Sequence, residues 1–378
     1  MAKILSLDIK NFMEKNILNK LTIRGFKSIR ELTNFELGKL NVLVGANGSG
    51  KSNLISFFKM LTDMLDGNLD DYVRENGGIS NILYNGRKTT QKMQFETQSS
   101  PLKYRFTIKP DTNEGFVLTD EAYCYPCEMN NWRVINNGHA INDRRNCNSN
   151  DKRYIYDTMK SWQIYHFHDT SATAPVRGWE IVEDNKKLRS NASNLAAFLL
   201  RLREDADDCY REILNVCKLV MPYFKDFLLN VKEFGKDKEI KKVSLSWRTK
   251  NSDFPMQSYH LSDGSIRFIC LAVALLQSNP PSMLIIDEPE LGLHPEAIRI
   301  IGELINNAKK QTQIIVATQS PLLIDQFAIK DIVTVIRKDD QSVFERLKQK
   351  DFKKWLENYS LGELWTKNVL NSSRLNLC

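Results

Sequence analysis

Residues 40–52 read LNVLVGANGSGKS, a short apolar run followed by a glycine-rich loop that ends in lysine and serine. Apolar side chains then recur with a helical period, which predicts a buried face made of Leu54, Ile55, Phe58, Leu61 and Leu65. The loop matches G-x-x-x-x-G-K-[ST], in which backbone N–H groups at a helix N-terminus surround phosphate oxygens. The segment therefore predicts a phosphate-binding loop, and a glycine-rich turn without a ligand is the alternative.

This loop pattern assigns roles to individual side chains. Lys51 should reach the β- and γ-phosphates of a nucleotide. Ser52 should place its hydroxyl on Mg²⁺, because that hard ion prefers oxygen ligands. The other predicted nucleotide contacts in this segment are Gly45, Asn47, Gly48, Ser49, Gly50 and Asn53. ATP and Mg²⁺ are therefore the expected cofactors.

A second apolar run, residues 283–288, ends in the two acids Asp287 and Glu288. Continuous apolar runs are typical of parallel strands that are buried on both faces. Asp287 should belong to the Mg²⁺ shell, and Glu288 should orient and polarise the attacking water, because phosphoryl transfer depends on positioning and charge stabilisation. A strand that simply ends in a polar turn is the alternative.

The segment LSDGS at residues 261–265 precedes an apolar helix and resembles the signature segment of ABC ATPases. In that family the serine and glycine bind the γ-phosphate of ATP held by the other protomer. The resemblance therefore implies that Ser262 and Gly264 complete a site in a second copy of the chain. Asp263 departs from the common Leu-Ser-Gly-Gly pattern, and an acid here would repel phosphate unless its side chain points away. An N-capped helix without this role is the alternative.

Residues 289–295 and 313–321 continue the ABC-like order of segments. The first occupies the place where such ATPases touch across the dimer. The second ends where a histidine usually contacts the γ-phosphate, and here that position is Gln319. A glutamine donates a hydrogen bond but carries no positive charge, so Gln319 is a predicted catalytic residue that favours slow turnover.

The opening LTIRGFKSI at residues 21–29 resembles the RecF/SMC/OLD-like branch of ABC ATPases. This resemblance covers residues 21–60 and 255–340, and it makes Arg24 and Lys27 further candidate nucleotide contacts. The chain is more similar still to predicted AAA-family ATPases of bacterial anti-phage defence systems of the retron, Septu and PARIS kinds. The shared segments are residues 262–264, 317–324 and 359–365. Members of that group commonly act with a separate nuclease or toxin, which would be the effector partner here.

The composition indicates a globular protein outside the membrane. The chain has 378 residues, 42% of them hydrophobic, and a net charge of +7 that modestly favours polyanionic partners such as nucleic acid. No apolar run is long enough to span a membrane, and no secretory signal is visible at the N-terminus. Seven scattered cysteines do not form a disulfide framework. A cytoplasmic location is therefore expected.

The predicted fold class is α/β: an ABC-ATPase head with a phosphate-loop sheet, a β-rich flank and a helical insertion. A long coiled coil is not expected, because no heptad run is sustained. The predicted segments are an N-terminal extension (1–20), a first nucleotide-binding lobe with its flank (21–183), a helical and basic insertion (184–254), a second lobe with the signature and acids (255–345) and a helical tail (346–378). Six lysines and arginines surround Trp247 within residues 236–250, which indicates either a partner or nucleic-acid surface or a solvated strand pair.

Two groups of residues are candidate metal ligands. Cys124, Cys127, His139 and Cys147 offer four zinc ligands, although the second half lacks a closely spaced pair. His166 and His168 share one face of a predicted strand, where packing or a contact with the nucleotide lobe is the preferred interpretation.

Three functions remain open at this point. The first is a switch ATPase of a defence system that controls a separate nuclease or toxin. The second is a RecF-like repair ATPase that binds DNA, and the third is a scaffold that binds ATP with little turnover. The dimer could also be the unit of a larger oligomer. About 40 residues follow the last ATPase strand, which is too few for a nuclease module.

Overall fold

A computed structural model describes residues 17–99, 102–112, 114–125, 131–136, 150–235 and 239–370. The strands in chain order are β1 (Leu18–Phe26), β2 (Ile29–Glu36), β3 (Leu40–Val44), β4 (Met93–Ser99), β5 (Leu102–Pro110), β6 (Phe116–Cys124), β7 (Arg133–Asn136), β8 (Gln163–Tyr165), β9 (Trp179–Ile181), β10 (Phe224–Leu228), β11 (Val231–Phe234), β12 (Ile240–Ser244), β13 (Ser246–Thr249), β14 (Met256–Gln257), β15 (Met283–Asp287), β16 (Gln313–Thr318), β17 (Ile332–Lys338) and β18 (Gln341–Arg346).

The α-helices lie between groups of these strands, and from residue 263 to residue 338 helices and strands alternate one by one, as is typical of an α/β protein. They are α1 (Lys51–Asp66), α2 (Leu69–Glu75), α3 (Ile79–Ile82), α4 (Gly86–Thr89), α5 (Asn150–Lys160), α6 (Leu195–Asp205), α7 (Asp207–Val220), α8 (Asp263–Leu276), α9 (Pro295–Ala308), α10 (Pro321–Ile324), α11 (Gln349–Phe352) and α12 (Leu361–Thr366).

The central sheet has the strand order β18-β17-β3-β16-β15-β8. Its strands are parallel except β18, which pairs antiparallel at one edge. Every residue of β3, β15 and β16 is buried, which explains why these strands are mostly apolar in the sequence. Val44 pairs with Thr318 and Asp287 with Ala317, so the carboxyl ends of all three strands meet at one edge. That edge is where open α/β sheets bind ligands.

A second sheet is antiparallel, with the order β2-β1-β4-β5-β6-β7. Its strands alternate buried and partly exposed residues, as is usual when one face covers a core. Helix α1 belongs to the same hydrophobic core, and the five residues predicted for its apolar face are all buried. This sheet is the predicted β-rich flank.

Helices α6, α7 and α8 pack together in a second core, beside two small sheets with the orders β10-β13-β14 and β11-β12-β9. Trp247 is buried at 3% exposure and stacks on Phe224, so it does not present a surface to a partner. The longest helix in the described ranges is α1 with 16 residues, and no long coiled coil is present there. The predicted α/β head is confirmed.

None of the described helices is long and apolar enough to cross a lipid bilayer.

Candidate nucleotide site

The loop of residues 45–52 joins β3 to α1 in a conformation that requires glycine at two positions. A Cβ on Gly45 would overlap the Val335 carbonyl oxygen. Gly50 has a φ of +109°, and a Cβ there would overlap the Ser342 hydroxyl. The turn therefore brings the first N–H groups of α1, which have no partner within the helix, to the carboxyl edge of the sheet.

The Lys51 side chain folds back over this loop. Its ammonium donates to the carbonyl oxygens of Gly45 (2.6 Å) and Ala46 (3.1 Å). Burial lowers the pKa of Lys51, although the carboxylates of Glu288, Asp287 and Glu290 act in the opposite direction. The cation therefore lies within the field of three acids at the centre of the site.

A network of hydrogen-bonded hydroxyl groups, which no sequence motif indicates, supports the phosphate loop. Asn53 Nδ2 donates to Ser28 Oγ at 2.6 Å, and Ser28 Oγ lies 2.6 Å from Ser342 Oγ. Ser342 in turn donates to the Ser49 carbonyl oxygen at 2.6 Å. Asn53, a predicted nucleotide contact, therefore ties α1 to the turn after β1, and Ser342 comes from an edge strand with no motif to mark it.

Asp287 ends β15 with a buried carboxyl group. Burial and the neighbouring Glu288 raise the pKa of Asp287, while His168, Ser52 and Lys51 act to lower it. Its Oδ1 atom is buried without a hydrogen-bond partner in the described residues, and so is Ser49 Oγ. The unpartnered oxygen of Asp287 and the hydroxyl of the exposed Ser52 fit a hard cation such as Mg²⁺ with its bound waters.

His166 and His168 lie just beyond the end of β8, which corrects the prediction that they share a strand face. The strand stops at Tyr165 because the His166 N–H donates to the Ser190 carbonyl oxygen (3.1 Å) instead of continuing the ladder with β15. His166 Nδ1 lies 3.9 Å from Asp287 Oδ2, and His168 Nε2 lies 3.4 Å from the Asp287 carbonyl oxygen. Both histidines therefore lie beside Asp287, at the end of β15.

Glu288 and Gln319, the two predicted catalytic residues, are brought together. Gln319 Nε2 donates to Glu288 Oε1 at 3.1 Å. Glu288 has a φ of +47°, which is uncommon for a residue with a side chain, and its N–H donates to the Ala317 carbonyl oxygen at 2.9 Å. Strained backbone concentrates at functional sites because it aims a side chain that a relaxed turn would not.

Glu290 is a site residue that the sequence analysis did not single out. Its Oε1 accepts hydrogen bonds from Thr318 Oγ1 (2.6 Å), Gln319 N (3.1 Å) and Ser320 N (3.3 Å). Burial raises the pKa of Glu290. The carboxyl group therefore fixes the backbone that carries Gln319, and its position two residues after Glu288 was the available signal.

The signature segment, residues 261–265, begins helix α8. Ser262 is the N-cap, and its hydroxyl accepts from Ser265 N at 3.1 Å. Asp263 pairs with Arg177 at 2.8 Å, so its charge is balanced by a guanidinium. No hydrogen bond or ion pair within the described ranges joins Ser262 or Gly264 to residues 45–52. Ser262 is exposed, so the N-cap alternative and the phosphate role are compatible.

Arg267 connects α8 to the rest of the site. Its guanidinium donates to the carbonyl oxygens of Phe167 (2.7 Å), His168 (2.9 Å) and Leu291. Gly264 is packed so closely that a Cβ would lie 2.5 Å from the Gly292 carbonyl oxygen. Helix α8 is therefore bonded both to the histidine segment and to the loop after Glu288.

Arg24 and Lys27 lie on the β1–β2 hairpin and bond to other groups. Arg24 pairs with Glu31 at 3.0 Å. Lys27 Nζ donates to Ser56 Oγ (2.7 Å) and Asn76 Oδ1 (2.8 Å), and burial lowers its pKa. Their role in nucleotide binding stays a prediction.

The zinc prediction rests mostly on Cys127, His139 and Cys147, which lie outside the described residues; Cys124 is buried. Within the described ranges, no group of three or more histidine, cysteine, aspartate or glutamate side chains is arranged to bind a metal ion.

The fold and the site together define a nucleotide-binding ATPase of the ABC/AAA type. The chain belongs to the family described as "AAA domain, putative AbiEii toxin, Type IV TA system", whose model matches residues 40–126 and 148–325, more than half of the chain. It is therefore an ATP-binding protein of an ATPase family, and ATPases of this type bind ATP, typically with Mg²⁺.

Two individual proteins match a shorter part of the chain. It is 36% identical over 84 residues to the phosphate import ATP-binding protein PstB of Ehrlichia ruminantium, strains Gardel and Welgevonden. That match covers 22% of this chain and 32% of PstB, so the chain spans about a third of the length of these relatives.

The solved structures similar to this fold include two Smc heads. An Smc head bound to the C-winged helix domain of ScpA has a TM-score of 0.54 at 16% identity, over 89% of this chain and 99% of that one. An Smc head domain with an extended coiled coil, bound to the C-terminal domain of ScpA derived from Pyrococcus furiosus, has a TM-score of 0.52 at 16% identity, over 90% and 98%. These similarities establish an Smc-head-like fold.

Proposed function

We propose that this chain is an ATP-hydrolysing switch that works as a dimer and controls a separate effector. The observation that supports it best is the bonded pair of Glu288 and Gln319 at the carboxyl ends of β15 and β16, next to Lys51 and Asp287. This arrangement combines a phosphate-binding cation, a carboxylate for the ion and a carboxylate for the attacking water.

Each residue in this proposal has one task. Lys51 exchanges its contacts with the loop carbonyls for the β- and γ-phosphates of ATP. Ser52 and Asp287 would hold Mg²⁺, which would supply positive charge near the phosphate oxygens. Glu288 accepts a hydrogen bond from the attacking water and polarises it, while Gln319 keeps the carboxylate in place.

Turnover in this proposal is slow. Gln319 donates a hydrogen bond where related ATPases use a histidine, so no positive charge faces the γ-phosphate from this side. A slow ATPase stays in its ATP-bound state long enough for another protein to respond to that state, which is a property of switches rather than motors.

The dimer follows from how the site is divided. Ser262 and Gly264 begin a helix that contacts the loop after Glu288, and in the described residues neither of them bonds to the phosphate loop. A second copy related by two-fold symmetry would present these residues to the first copy's nucleotide and receive the same in return. The Arg177 partner of Asp263 reduces the repulsion that an acid would otherwise exert on phosphate.

We further propose that the partner is a nuclease or toxin of an anti-phage defence system. The segments shared with such ATPases support this proposal. In this proposal ATP binding assembles the form that restrains or releases the effector. The destructive activity resides in the partner.

Light scattering on the Glu288→Gln protein tests the dimer proposal. This change removes the charge that polarises water, so ATP should bind and persist, and Mg-ATP should double the mass of the particle. Adding Ser262→Arg should block that increase while leaving ATP binding to monomers intact. An unchanged ATP-dependent mass increase in the double variant would contradict the proposed geometry.

A further inference from the structure

The outer face of the small sheet β11-β12-β9 is apolar and exposed to solvent. Side chains alternate along its strands, and the register pairs Lys232 with Lys242 and Lys242 with Ile181. Lys232, Lys242 and Ile181 therefore lie on one face of the sheet. The residues two positions away along each strand lie on the same face. We call this face the aromatic–lysine surface, which consists of Trp179, Ile181, Lys232, Phe234, Ile240 and Lys242.

Two aromatic rings lie side by side at the centre of this surface. Trp179 is 38% exposed and Phe234 is 39% exposed, with ring centroids 5.5 Å apart and planes at 66°. Ile181 and Ile240 are also exposed, at 46% and 39%. A contiguous apolar group of this kind on a folded chain marks an interaction site, because water at this face is released when a partner covers it.

Lysines lie directly against both rings. Lys232 Nζ is 4.9 Å from the centroid of Trp179, and Lys242 Nζ is 5.8 Å from the centroid of Phe234. A flat ring next to an ammonium group matches a ligand that carries flat rings and negative charges at short intervals. Single-stranded nucleic acid has both, since each nucleotide supplies one base and one phosphate.

The acids of these strands point away from the surface. Glu180 pairs with Val243 and Glu233 pairs with Lys241, so both alternate to the opposite face. Val243 on that opposite face is fully buried in the core that includes α6. Within the described strands, the outer side of the sheet therefore carries only lysines as charged groups, and the acids lie on the other side, where Val243 is buried and Glu233 is exposed.

We propose that the aromatic–lysine surface binds single-stranded nucleic acid, with bases stacked on Trp179 and Phe234 and phosphates paired with Lys232 and Lys242. Base-edge recognition is absent from this arrangement, so binding tolerates different sequences. The proposal is independent of the switch proposed above, because it requires neither ATP nor a second copy of the chain.

Fluorescence anisotropy on the full chain without nucleotide tests it, with labelled oligothymidylate of about 20 nucleotides and a duplex of equal length as probes. We expect the single strand to bind more tightly than the duplex. Trp179→Ala with Phe234→Ala should weaken binding at least about tenfold, because base–aromatic stacking contributes about 1–3 kcal/mol per base. Lys232→Ala with Lys242→Ala should reduce the slope of log affinity against log salt by about 1.4.

The matched controls are Phe254→Ala for an exposed ring elsewhere and Lys353→Ala with Lys354→Ala for exposed charges elsewhere. Both should bind like the unmodified chain. Equal loss in controls and surface variants would mean general electrostatic adhesion and would overturn the proposal. The proposal would also be overturned if the unmodified chain bound no oligonucleotide. The same holds if the surface variants lost binding to a protein partner but kept oligonucleotide binding.

Discussion

At Glu290 one carboxyl group organises the backbone on which Gln319 depends. One of its oxygens accepts three hydrogen bonds from residues 318–320, and the other is buried without a partner in the described chain. A carboxylate in such surroundings is costly because burial disfavours its charged form. The site therefore contains a group that stabilises local geometry while opposing global stability at neutral pH.

Glu290→Gln should change how stability depends on pH. Because the pKa of Glu290 is raised in the folded chain above its ordinary value of 4.5, the folded state binds this proton more tightly than the unfolded state. The protonated group therefore contributes to the free energy of unfolding below about pH 4.5, and this contribution is lost as the pH rises through the folded pKa. Glutamine retains the accepting oxygen but does not ionise. As the pH rises from about 4.5 through the folded pKa of Glu290, the melting temperature of the variant should therefore fall less than that of the unmodified chain.

The control for this experiment is Glu303→Gln, an exposed glutamate on α9. It should preserve the pH profile of the unmodified chain. If Glu290→Gln preserved that profile as well, then Glu290 would ionise with an ordinary pKa, and the burial argument for this carboxyl group would be wrong.

At the scale of elements, helix α8 is held by its arginine and not only by apolar packing. Arg267 joins the helix to three backbone carbonyl oxygens in two other segments. Because those segments touch Asp287 and follow Glu288, a shift at the nucleotide has a bonded route to the surface that carries Ser262. A side chain placed this way is a positioning residue rather than a catalytic one.

Arg267→Met should destabilise the chain by about 1–3 kcal/mol, since it preserves the aliphatic stem but leaves buried carbonyl oxygens without donors. For a chain of this size the melting temperature should fall by roughly 1–2 °C per kcal/mol. ATP hydrolysis should fall further than ATP affinity, because α8 moves while the phosphate loop does not. Arg299→Met on the exposed side of α9 is the control. Equal losses in affinity and turnover would indicate a purely structural role for Arg267.

Local patterns predicted the elements that build the site, and long-range contacts were the part they missed. The apolar runs of β3 and β15 and the helical period of α1 report burial directly, so these elements were predictable. Ser342 reaches the loop across 293 residues, and no periodicity encodes that meeting. The predicted strand includes His166, whereas the observed strand ends one residue earlier. Its end depends on a hydrogen bond to Ser190, and the local sequence does not encode that bond either.

At the scale of the whole molecule, the proposed site has two parts that are not bonded to each other in the described residues of one chain. Lys51, Asp287, Glu288 and Gln319 meet at the carboxyl edge of the central sheet. Ser262 lies at the exposed start of α8 and makes no hydrogen bond to the phosphate loop, residues 45–52, within the described chain. An isologous pair would complete both sites at once, which is why ATP would act as part of the interface in our proposal.

The most direct measurement is ATP hydrolysis by a one-to-one mixture of Lys51→Ala and Ser262→Arg proteins. Each variant alone should be inactive, the first without a phosphate contact and the second without a usable signature surface. In mixed dimers one site combines the intact loop of one protomer with the intact signature of the other. Activity should therefore return to at most about half of the unmodified rate, because ATP joins only mixed pairs and each mixed dimer has one complete site of two. A mixture as inactive as its separate components would contradict the shared site.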